Sequence, residues 1–224
     1  MEADQVSIGQ DASKSRGLAV IPVSLGVAIA ALVLFVWLFD EVLHSGTEHF
    51  DLWIRLGIHA HASPLLTEFM RAITYCGSWM VLLPATLVLS AILAWRKQYV
   101  EMRLLLITMG GALVLDNVLK LVAHRPRPTP FFVAKPLTYS FPSGHSLISL
   151  CFYGLLAGLL TMHLARRGWR ALVWVIAAIL IGLIGLSRIY LGVHWPSDVI
   201  AGYAAATVWM GAVRVLVLPR MVKS

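Results

Sequence analysis

The sequence predicts an all-α integral membrane bundle of six transmembrane helices with one additional interfacial amphipathic helix. Three observations support this prediction: 59% of the 224 residues are hydrophobic, 13% are charged, and the mean hydropathy is +0.80. Soluble domains carry about 25% charged residues. Because lipid offers no hydrogen-bond partners to the backbone, the apolar runs must be helices. This composition excludes a soluble globular enzyme, a disordered tail and a fibrous repeat.

The predicted domain organisation is a polar cytoplasmic N-terminus, residues 1–16, followed by one six-span domain, residues 17–224. The first run, Gly17–Phe39, is too long for the apolar core of a cleaved signal peptide and ends at Asp40 and Glu41, so it is predicted to be a retained span. The other predicted spans are Trp79–Trp95, Leu104–Val122, Leu147–Leu164, Ala171–Leu186 and Val199–Val217.

The distribution of Lys and Arg predicts the orientation of the chain. With the N-terminus in the cytoplasm, the inner side holds eleven of the eighteen cations: Lys14, Arg16, Arg96, Lys97, Arg103, Arg166, Arg167, Arg170, Arg214, Arg220 and Lys223. This bias follows the positive-inside rule. The net charge of +7 is therefore attributed to membrane orientation, and a nucleic-acid partner is not expected.

Residues 40–78 form a long predicted outer segment. Within it, Ser63 and Pro64 are a typical N-cap and first helical residue, and apolar residues then recur at helical spacing up to Ile73. The pattern predicts an amphipathic helix at the membrane interface, and a short packed connector explains it equally well.

Polar residues gather in three segments where a membrane bundle would otherwise be apolar: 120–128, 140–146 and 187–198. The predicted topology places all three on the outer face, because the third and fifth spans end there and the fourth and sixth begin there. Charges at membrane depth are costly and are usually functional. Four helix ends are therefore predicted to converge on one pocket.

The residue types in this pocket suit a tetrahedral oxyanion, above all phosphate. Lys120, Arg127 and Arg188 supply positive charge and hydrogen-bond donors. Ser143 and Gly144 precede a helix whose free backbone amides form an anion site. A matching carboxylate cluster for magnesium is missing from the sequence, so no metal and no cofactor is expected.

Two histidines complete the predicted site. His194 and Asp198 are four residues apart with Pro196 between them, which places both on one face of a helix start. The carboxylate would orient the imidazole and leave its other nitrogen free to act as a nucleophile. His145 has no acidic partner in sequence and fits a general acid.

At these residues the sequence resembles the type 2 phosphatidic acid phosphatase superfamily of membrane lipid phosphatases. The family signature is a Lys separated by six residues from Arg-Pro, then Pro-Ser-Gly-His, then Ser-Arg with a His and an Asp at fixed spacing. The chain carries all three parts without departure: Lys120 with Arg127-Pro128, Pro142-Ser143-Gly144-His145, and Ser187-Arg188 with His194 and Asp198.

The resemblance implies a metal-independent phosphatase that acts through a phosphohistidine on His194, oriented by Asp198, with His145 protonating the leaving group. Lys120, Arg127, Ser143, Gly144 and Arg188 would hold the phosphoryl oxygens. The expected partners are membrane lipids and a phosphorylated lipid substrate, such as undecaprenyl diphosphate, phosphatidic acid or phosphatidylglycerophosphate. The expected location is a bacterial inner membrane, with the site facing the periplasm or outer leaflet.

Alternatives remain for the function and for several residues. A lipid phosphotransferase would pass the phosphoryl group from His194 to a lipid acceptor, and a transporter or scramblase would not need His194. Asp116 is expected to position Lys120, because the two are an i, i+4 pair. Head-group contacts are further hypotheses for His124, Arg125, Tyr139 and Tyr190, whereas His59 and His61 are expected to be interfacial rather than metal ligands.

Overall fold

A computed structural model of the chain describes residues 24–217. Its eight α-helices are α1 (Ser24–Leu43), α2 (Glu48–His59), α3 (Pro64–Cys76), α4 (Trp79–Trp95), α5 (Tyr99–Ala123), α6 (Gly144–Met162), α7 (Arg167–Tyr190) and α8 (Pro196–Ala212), and a π-helical turn, Val213–Val217, follows α8. The predicted N-terminus, residues 1–16, lies outside the described residues, as do residues 17–23 of the predicted first span.

Six helical stretches within residues 24–217 are long and apolar enough to cross a membrane. They are α1, the α3–α4 stretch Pro64–Trp95, α5, α6, α7, and α8 with its π-helical turn to Leu216. The prediction of an all-α bundle with six spans is therefore confirmed, and the chain is a multi-pass membrane protein.

Helix α6 lies at the centre of the bundle and packs against α5, α7 and α8. The largest buried cluster joins α5, α6 and α8 to α4 through Leu82, Leu105, Leu147, Cys151 and Ala206. Outward-facing apolar side chains such as those of α4 and α7 remain exposed, which suits a surface in contact with lipid tails.

Several helices are longer than their predicted spans. Helix α1 continues past Asp40 and Glu41 because Val42, one turn after Leu38, packs in the cluster around Phe141. Helix α7 reaches Tyr190, four residues beyond the predicted end of the fifth span. The segment 187–190 was predicted to be part of a connection, but it is helical, and the side chains of Arg188 and Tyr190 find partners on α3.

Helix α3 begins as predicted, with Ser63 as its N-cap and Pro64 in its first turn. The side chain of Ser63 accepts a hydrogen bond from the Leu66 amide at 3.3 Å. Tyr190 at the end of α7 is 1% exposed, and its hydroxyl contacts Thr67 Oγ1 at 2.7 Å. The hypothesis that Tyr190 touches a head group is therefore wrong, since its hydroxyl ties α7 to α3.

Small residues bring α8 close to α6. A Cβ atom on Gly202 would lie 2.7 Å from the carbonyl oxygen of Ser143, and Ala206 is fully buried. Gly154 on α6 faces Met210, but Gly158 has no atom within 4 Å of its would-be Cβ among the described residues. The close approach that positions the start of α6 therefore comes from Gly202 rather than from the Gly154–Gly158 pair.

The loop between α5 and α6 is held against α2 and α3 by side chains from those helices. Arg55 donates to the carbonyl of Thr129, and Arg71 Nη2 donates to the carbonyl of Phe132 at 2.7 Å. The His59 ring stacks on Phe131 with 3.7 Å between ring centroids. His59 thus packs this loop in place at the same end of the bundle as the three polar segments.

Candidate active site

The eight predicted site residues lie together at one end of the bundle. Arg127 contacts His194 directly, and the backbone amide of Ser143 donates to the carbonyl of Asp198 at 2.9 Å. These contacts join the segments around four helix ends: the C-terminal ends of α5 and α7 and the N-terminal ends of α6 and α8. The convergence expected from the sequence is present, and its residues are Lys120, Arg127, Ser143, Gly144, His145, Arg188, His194 and Asp198.

His194 lies between a hydrogen-bond acceptor, Asp198, and a hydrogen-bond donor, Arg127, and these two contacts fix its tautomer. Its Nδ1 lies 3.3 Å from Asp198 Oδ2, and its Nε2 lies 2.9 Å from Arg127 Nη1. A guanidinium can only donate and an ionised carboxylate can only accept. The imidazole must therefore carry its proton on Nδ1 and present a lone pair on Nε2.

The imidazole of His194 is also neutral. The residue is 2% exposed, and burial lowers the pKa of His194 to about 3, although the hydrogen bond that Nδ1 donates to Asp198 acts in the opposite direction. The positive charge of Arg127 acts in the same direction as burial. At neutral pH, Nε2 is therefore an unprotonated, nucleophilic nitrogen.

Asp198 is fully buried, and both of its oxygens are occupied. Oδ2 accepts from Ser140 Oγ at 2.7 Å and from the Trp195 amide at 2.9 Å, besides its contact with His194. Oδ1 accepts from Arg125 Nη1 at 2.6 Å. These contacts hold the carboxylate in one orientation relative to the imidazole.

Lys120 and Asp116 form the predicted ion pair on α5. The pair lies over Gly144, where a Cβ atom would be 2.8 Å from Asp116 Oδ2 and 2.9 Å from Lys120 Nζ. Only a glycine lets the first turn of α6 approach the ammonium group so closely. Lys120 is thereby placed beside the free amides of a helix N-terminus.

Ser143 is the N-cap of α6. Its side-chain oxygen accepts from the amide and the hydroxyl of Ser146, at 3.5 and 3.0 Å. A serine hydroxyl has one proton to donate in addition to these acceptor roles. Ser143 therefore caps the helix and keeps a donor, although the residue itself is fully buried.

Arg188 lies in the last turn of α7 and is 9% exposed. Its Nη1 donates to Thr74 Oγ1 on α3 at 2.7 Å, and its Nε has no hydrogen-bond partner within residues 24–217. A buried guanidinium with unused donors is costly unless another acceptor binds there. Arg188 thus brings positive charge and an open donor to the site.

His145 occupies the first turn of α6 and is partly exposed. It lies within electrostatic range of Arg188, His194, Lys120 and Arg127. A Cβ atom on Gly77, between α3 and α4, would lie 3.3 Å from His145 Cδ2, so this glycine leaves room for the ring. The two imidazoles therefore share one cationic pocket.

Arg127 links the site to the α5–α6 loop. Its Nε and Nη2 donate to the carbonyl and hydroxyl of Thr138, at 2.7 and 2.9 Å, and Nη1 also donates to the carbonyl of Val193. Burial lowers the pKa of Arg127, but a guanidinium remains protonated in proteins. A cavity of about 340 Å³ adjoins Arg127 on its loop side.

Taken together, the pocket offers three cations, a helix N-terminus and two imidazoles. Its carboxylates are already committed, Asp116 to Lys120 and Asp198 to His194. Within the described part of the chain, there is no group of at least three His, Cys, Asp or Glu side chains that could hold a metal ion. The arrangement can bind a tetrahedral anion and attack it with His194 Nε2.

Sequence reasoning missed or misplaced several residues of the site. Arg125 does not face a head group, because Asp51 and Asp198 hold its guanidinium, and its side chain is 10% exposed. Asp51 lies on α2, a helix that was not predicted. The repeated Arg-Pro at 125–128 could have indicated that Arg125, like Arg127, belongs to the site. No sequence pattern pointed to Ser140, Thr74 or Gly77.

Comparisons with known proteins give consistent results. The model of the PAP2 superfamily matches residues 101–221. Phosphatidylglycerophosphatase B of Bacillus subtilis is 34% identical over 142 residues, 63% of this chain and 70% of the relative. Undecaprenyl-diphosphatase of Sulfolobus acidocaldarius is 35% identical over 144 residues, 62% of this chain and 64% of the relative.

Two solved structures resemble the chain as well. A transmembrane PAP2-type phosphatidylglycerolphosphate phosphatase from Bacillus subtilis aligns with a TM-score of 0.77 and 30% identity, covering 84% of this chain and 94% of that one. Aquifex aeolicus LpxE aligns with a TM-score of 0.56 and 28% identity, covering 73% of this chain and 93% of that one. Sequence and structure thus point to the same group of proteins.

Proposed function

Because the chain belongs to the PAP2 superfamily and is a lipid phosphatase, we propose that it hydrolyses the terminal phosphate of a membrane lipid through a phosphohistidine on His194. The observation that carries this proposal is the fixed state of that imidazole. It is neutral, it holds its proton toward Asp198, and it presents Nε2 to Arg127. This is the state that a histidine nucleophile needs.

In the first step, the substrate phosphate displaces the contact between Arg127 and Nε2. Nε2 then forms a bond to phosphorus, and the bond from phosphorus to the leaving oxygen breaks. His145 donates a proton to that oxygen, so the lipid leaves as an alcohol or, from a diphosphate, as a monophosphate. Asp198 stabilises the charge that develops on the His194 ring.

In the second step, water attacks the phosphohistidine. His145, now neutral, accepts a proton from this water, as microscopic reversibility requires of the group that acted as the acid. The bond from phosphorus to Nε2 breaks, inorganic phosphate leaves, and His194 returns to its neutral form. Both steps place negative charge on the same three phosphoryl oxygens.

The phosphoryl oxygens are held by cations and by the start of α6. Lys120, Arg127 and Arg188 supply the charge, and Ser143 and the Gly144 amide supply further donors. Fixed donors aimed at developing charge provide much of the stabilisation of such transition states. Because these cations take the electrostatic role of a metal ion, we propose that turnover needs no divalent metal.

The substrate is proposed to be a lipid phosphomonoester or diphosphate in a bacterial cell membrane. The names of the Bacillus and Sulfolobus relatives favour phosphatidylglycerophosphate and undecaprenyl diphosphate as the first candidates. The Lys and Arg bias supports a cytoplasmic N-terminus and a site at the outer leaflet. Residues 40–78 and the loop 129–138, which border the site, would select the lipid.

The function is tested by phosphate release from purified protein in detergent. We expect turnover of at least one of phosphatidylglycerophosphate, undecaprenyl diphosphate and phosphatidic acid, with rates unchanged by an excess of EDTA. Inorganic phosphate is measured together with the lipid product by using substrate labelled on the terminal phosphate.

Three outcomes would count against this proposal. A strict need for Mg²⁺ would contradict the metal-independent mechanism. Label recovered in an acceptor lipid instead of free phosphate would identify a phosphotransferase. A lack of turnover on the whole panel, by protein that is monodisperse and folded, would contradict the substrate class.

Gly144→Ala is expected to lower kcat/KM by about 10²-fold, because the new methyl group displaces the Lys120–Asp116 pair from the phosphate seat. The would-be Cβ lies within 3 Å of both side chains, well inside normal contact distance. Kinetics on the best substrate of the panel measure this loss. Gly158→Ala in the same helix is the matched control, since its Cβ meets no atom within 4 Å among the described residues. Equal activity of the two variants would show that Lys120 need not lie against the helix start.

A further inference from the structure

Arg125 stands outside the residues assigned to phosphate binding, yet its side chain is buried at the back of the site. We propose that Arg125 is a positioning residue, which fixes the Asp198 carboxylate against His194 and is itself anchored by Asp51 on α2. This inference rests on the proposed function, because it assigns Arg125 a role in preparing the His194 nucleophile. It also gives α2, a segment without a signature motif, a part in catalysis.

The contacts of Arg125 form a chain that ends at the imidazole. Nη1 donates to Asp198 Oδ1 at 2.6 Å, and Nη2 donates to Asp51 Oδ2 at 2.7 Å. Asp198 in turn contacts His194 through its other oxygen, Oδ2. The guanidinium therefore lies between two carboxylates that are both fully buried.

The guanidinium has no Nη proton left for a lipid phosphate. Nη1 also donates to Ser197 Oγ at 2.8 Å, and Nη2 also donates to Thr47 Oγ1 at 3.0 Å. These four contacts match the four Nη protons of an arginine. A direct role in binding the substrate would require breaking contacts to buried carboxylates, which is unfavourable.

Asp51 anchors the start of α8 as well as Arg125. Its Oδ1 accepts from the Ser197 amide at 2.8 Å, and its Oδ2 accepts from Ser197 Oγ at 2.6 Å. A carboxylate at the first turn of a helix is favoured by the free amides there. Asp51 thus fixes the helix turn that carries Asp198, and Arg125 fixes the carboxylate itself.

The position of the guanidinium between Asp51 and Asp198 requires an arginine at position 125. Its planar fork spans two acceptors on opposite sides, whereas a lysine is a single point charge. The ionised state of Asp198 also depends on the charges around it. Those groups are His194 on the α7–α8 connection, Lys120 on α5, Arg125 and Arg127 after α5, and Asp51 on α2.

The test compares Arg125→Gln, Arg125→Lys and Asp51→Asn with Arg103→Gln, an exposed arginine at the other end of α5. For Arg125→Gln we expect kcat to fall by about 10²-fold with KM changed less than about threefold. The acidic limb of its kcat/KM profile should move to higher pH, because Asp198 loses the cation that keeps it ionised. Arg125→Lys should restore the acidic limb but only part of kcat, and Asp51→Asn should lower kcat with a smaller shift.

Two results would overturn the proposal. A rise in KM alone in Arg125→Gln would identify a head-group contact, and a fall in kcat with an unmoved acidic limb in all three variants would identify a purely structural role. If Arg125→Gln does not fold, judged by gel filtration and thermal unfolding, Arg125→Lys and Asp51→Asn decide the matter by the same criteria. Wild-type turnover and its loss in His194→Ala are measured in parallel, so a failure of the proposed function is recognised separately.

Discussion

Replacing His194 with alanine will reduce phosphate release from every lipid of the panel by about 10⁴-fold or more, because the variant lacks the atom that attacks phosphorus. Losses of this size follow the removal of a nucleophile that works as a unit with its neighbours. The remaining cations and helix amides still bind the phosphate, so KM for the residual rate should change little. Steady-state kinetics on the best substrate provide the measurement.

The covalent intermediate gives a second, independent readout of His194. Wild-type protein quenched during turnover of terminally labelled lipid should retain acid-labile, alkali-stable label, as expected of a phosphohistidine. His194→Ala should retain none, and His163→Ala, at the opposite end of α6, should match wild type in rate and labelling. Substantial turnover by His194→Ala would indicate a different nucleophile and would contradict the mechanism. Full function of this variant in a lipid-transport assay would support the transporter hypothesis.

The local parts of this site could be predicted from the sequence because short-range geometry fixes them. His194 and Asp198 are four residues apart across a helix start, and Asp116 and Lys120 are one turn apart on α5, so their contacts follow from helix geometry alone. The convergence of four helix ends at one end of the bundle followed from the alternation of six spans. Each of these predictions needed only local periodicity and the membrane as a constraint.

The long-range parts could not be predicted in the same way. Asp51 and Arg125 are 74 residues apart, and nothing in the segment 40–62 distinguishes a buried carboxylate from an exposed one. The contact between Thr74 and Arg188 depends likewise on how α3 packs against α7. Whether α3 lies in the membrane interface stays a prediction, since packing against α7 is compatible with an interfacial helix and with a packed connector.

Replacing His145 tests the proton transfer to the leaving group in the first step of the proposed reaction. His145→Ala and the closer isostere His145→Asn should lower kcat/KM by roughly 10²–10⁴-fold for a lipid phosphomonoester, whose alkoxide leaving group needs a proton. With 4-nitrophenyl phosphate, whose leaving group departs as a stable anion, the loss should be much smaller. A lipid diphosphate, which releases a monophosphate, should fall between the two. The ratio of wild-type to variant kcat/KM is measured for each substrate.

The pattern across leaving groups separates an acid from a binding residue. If His145 only held the phosphate, each substrate would lose the same factor, because the phosphoryl group is common to all of them. His194→Ala is the reference for that uniform loss, since every substrate needs the nucleophile. The position of His145 in the first turn of α6, within electrostatic range of Arg188 and Lys120, explains why both roles must be distinguished by chemistry. A loss that grows with the basicity of the leaving oxygen is the result that only a proton donor produces.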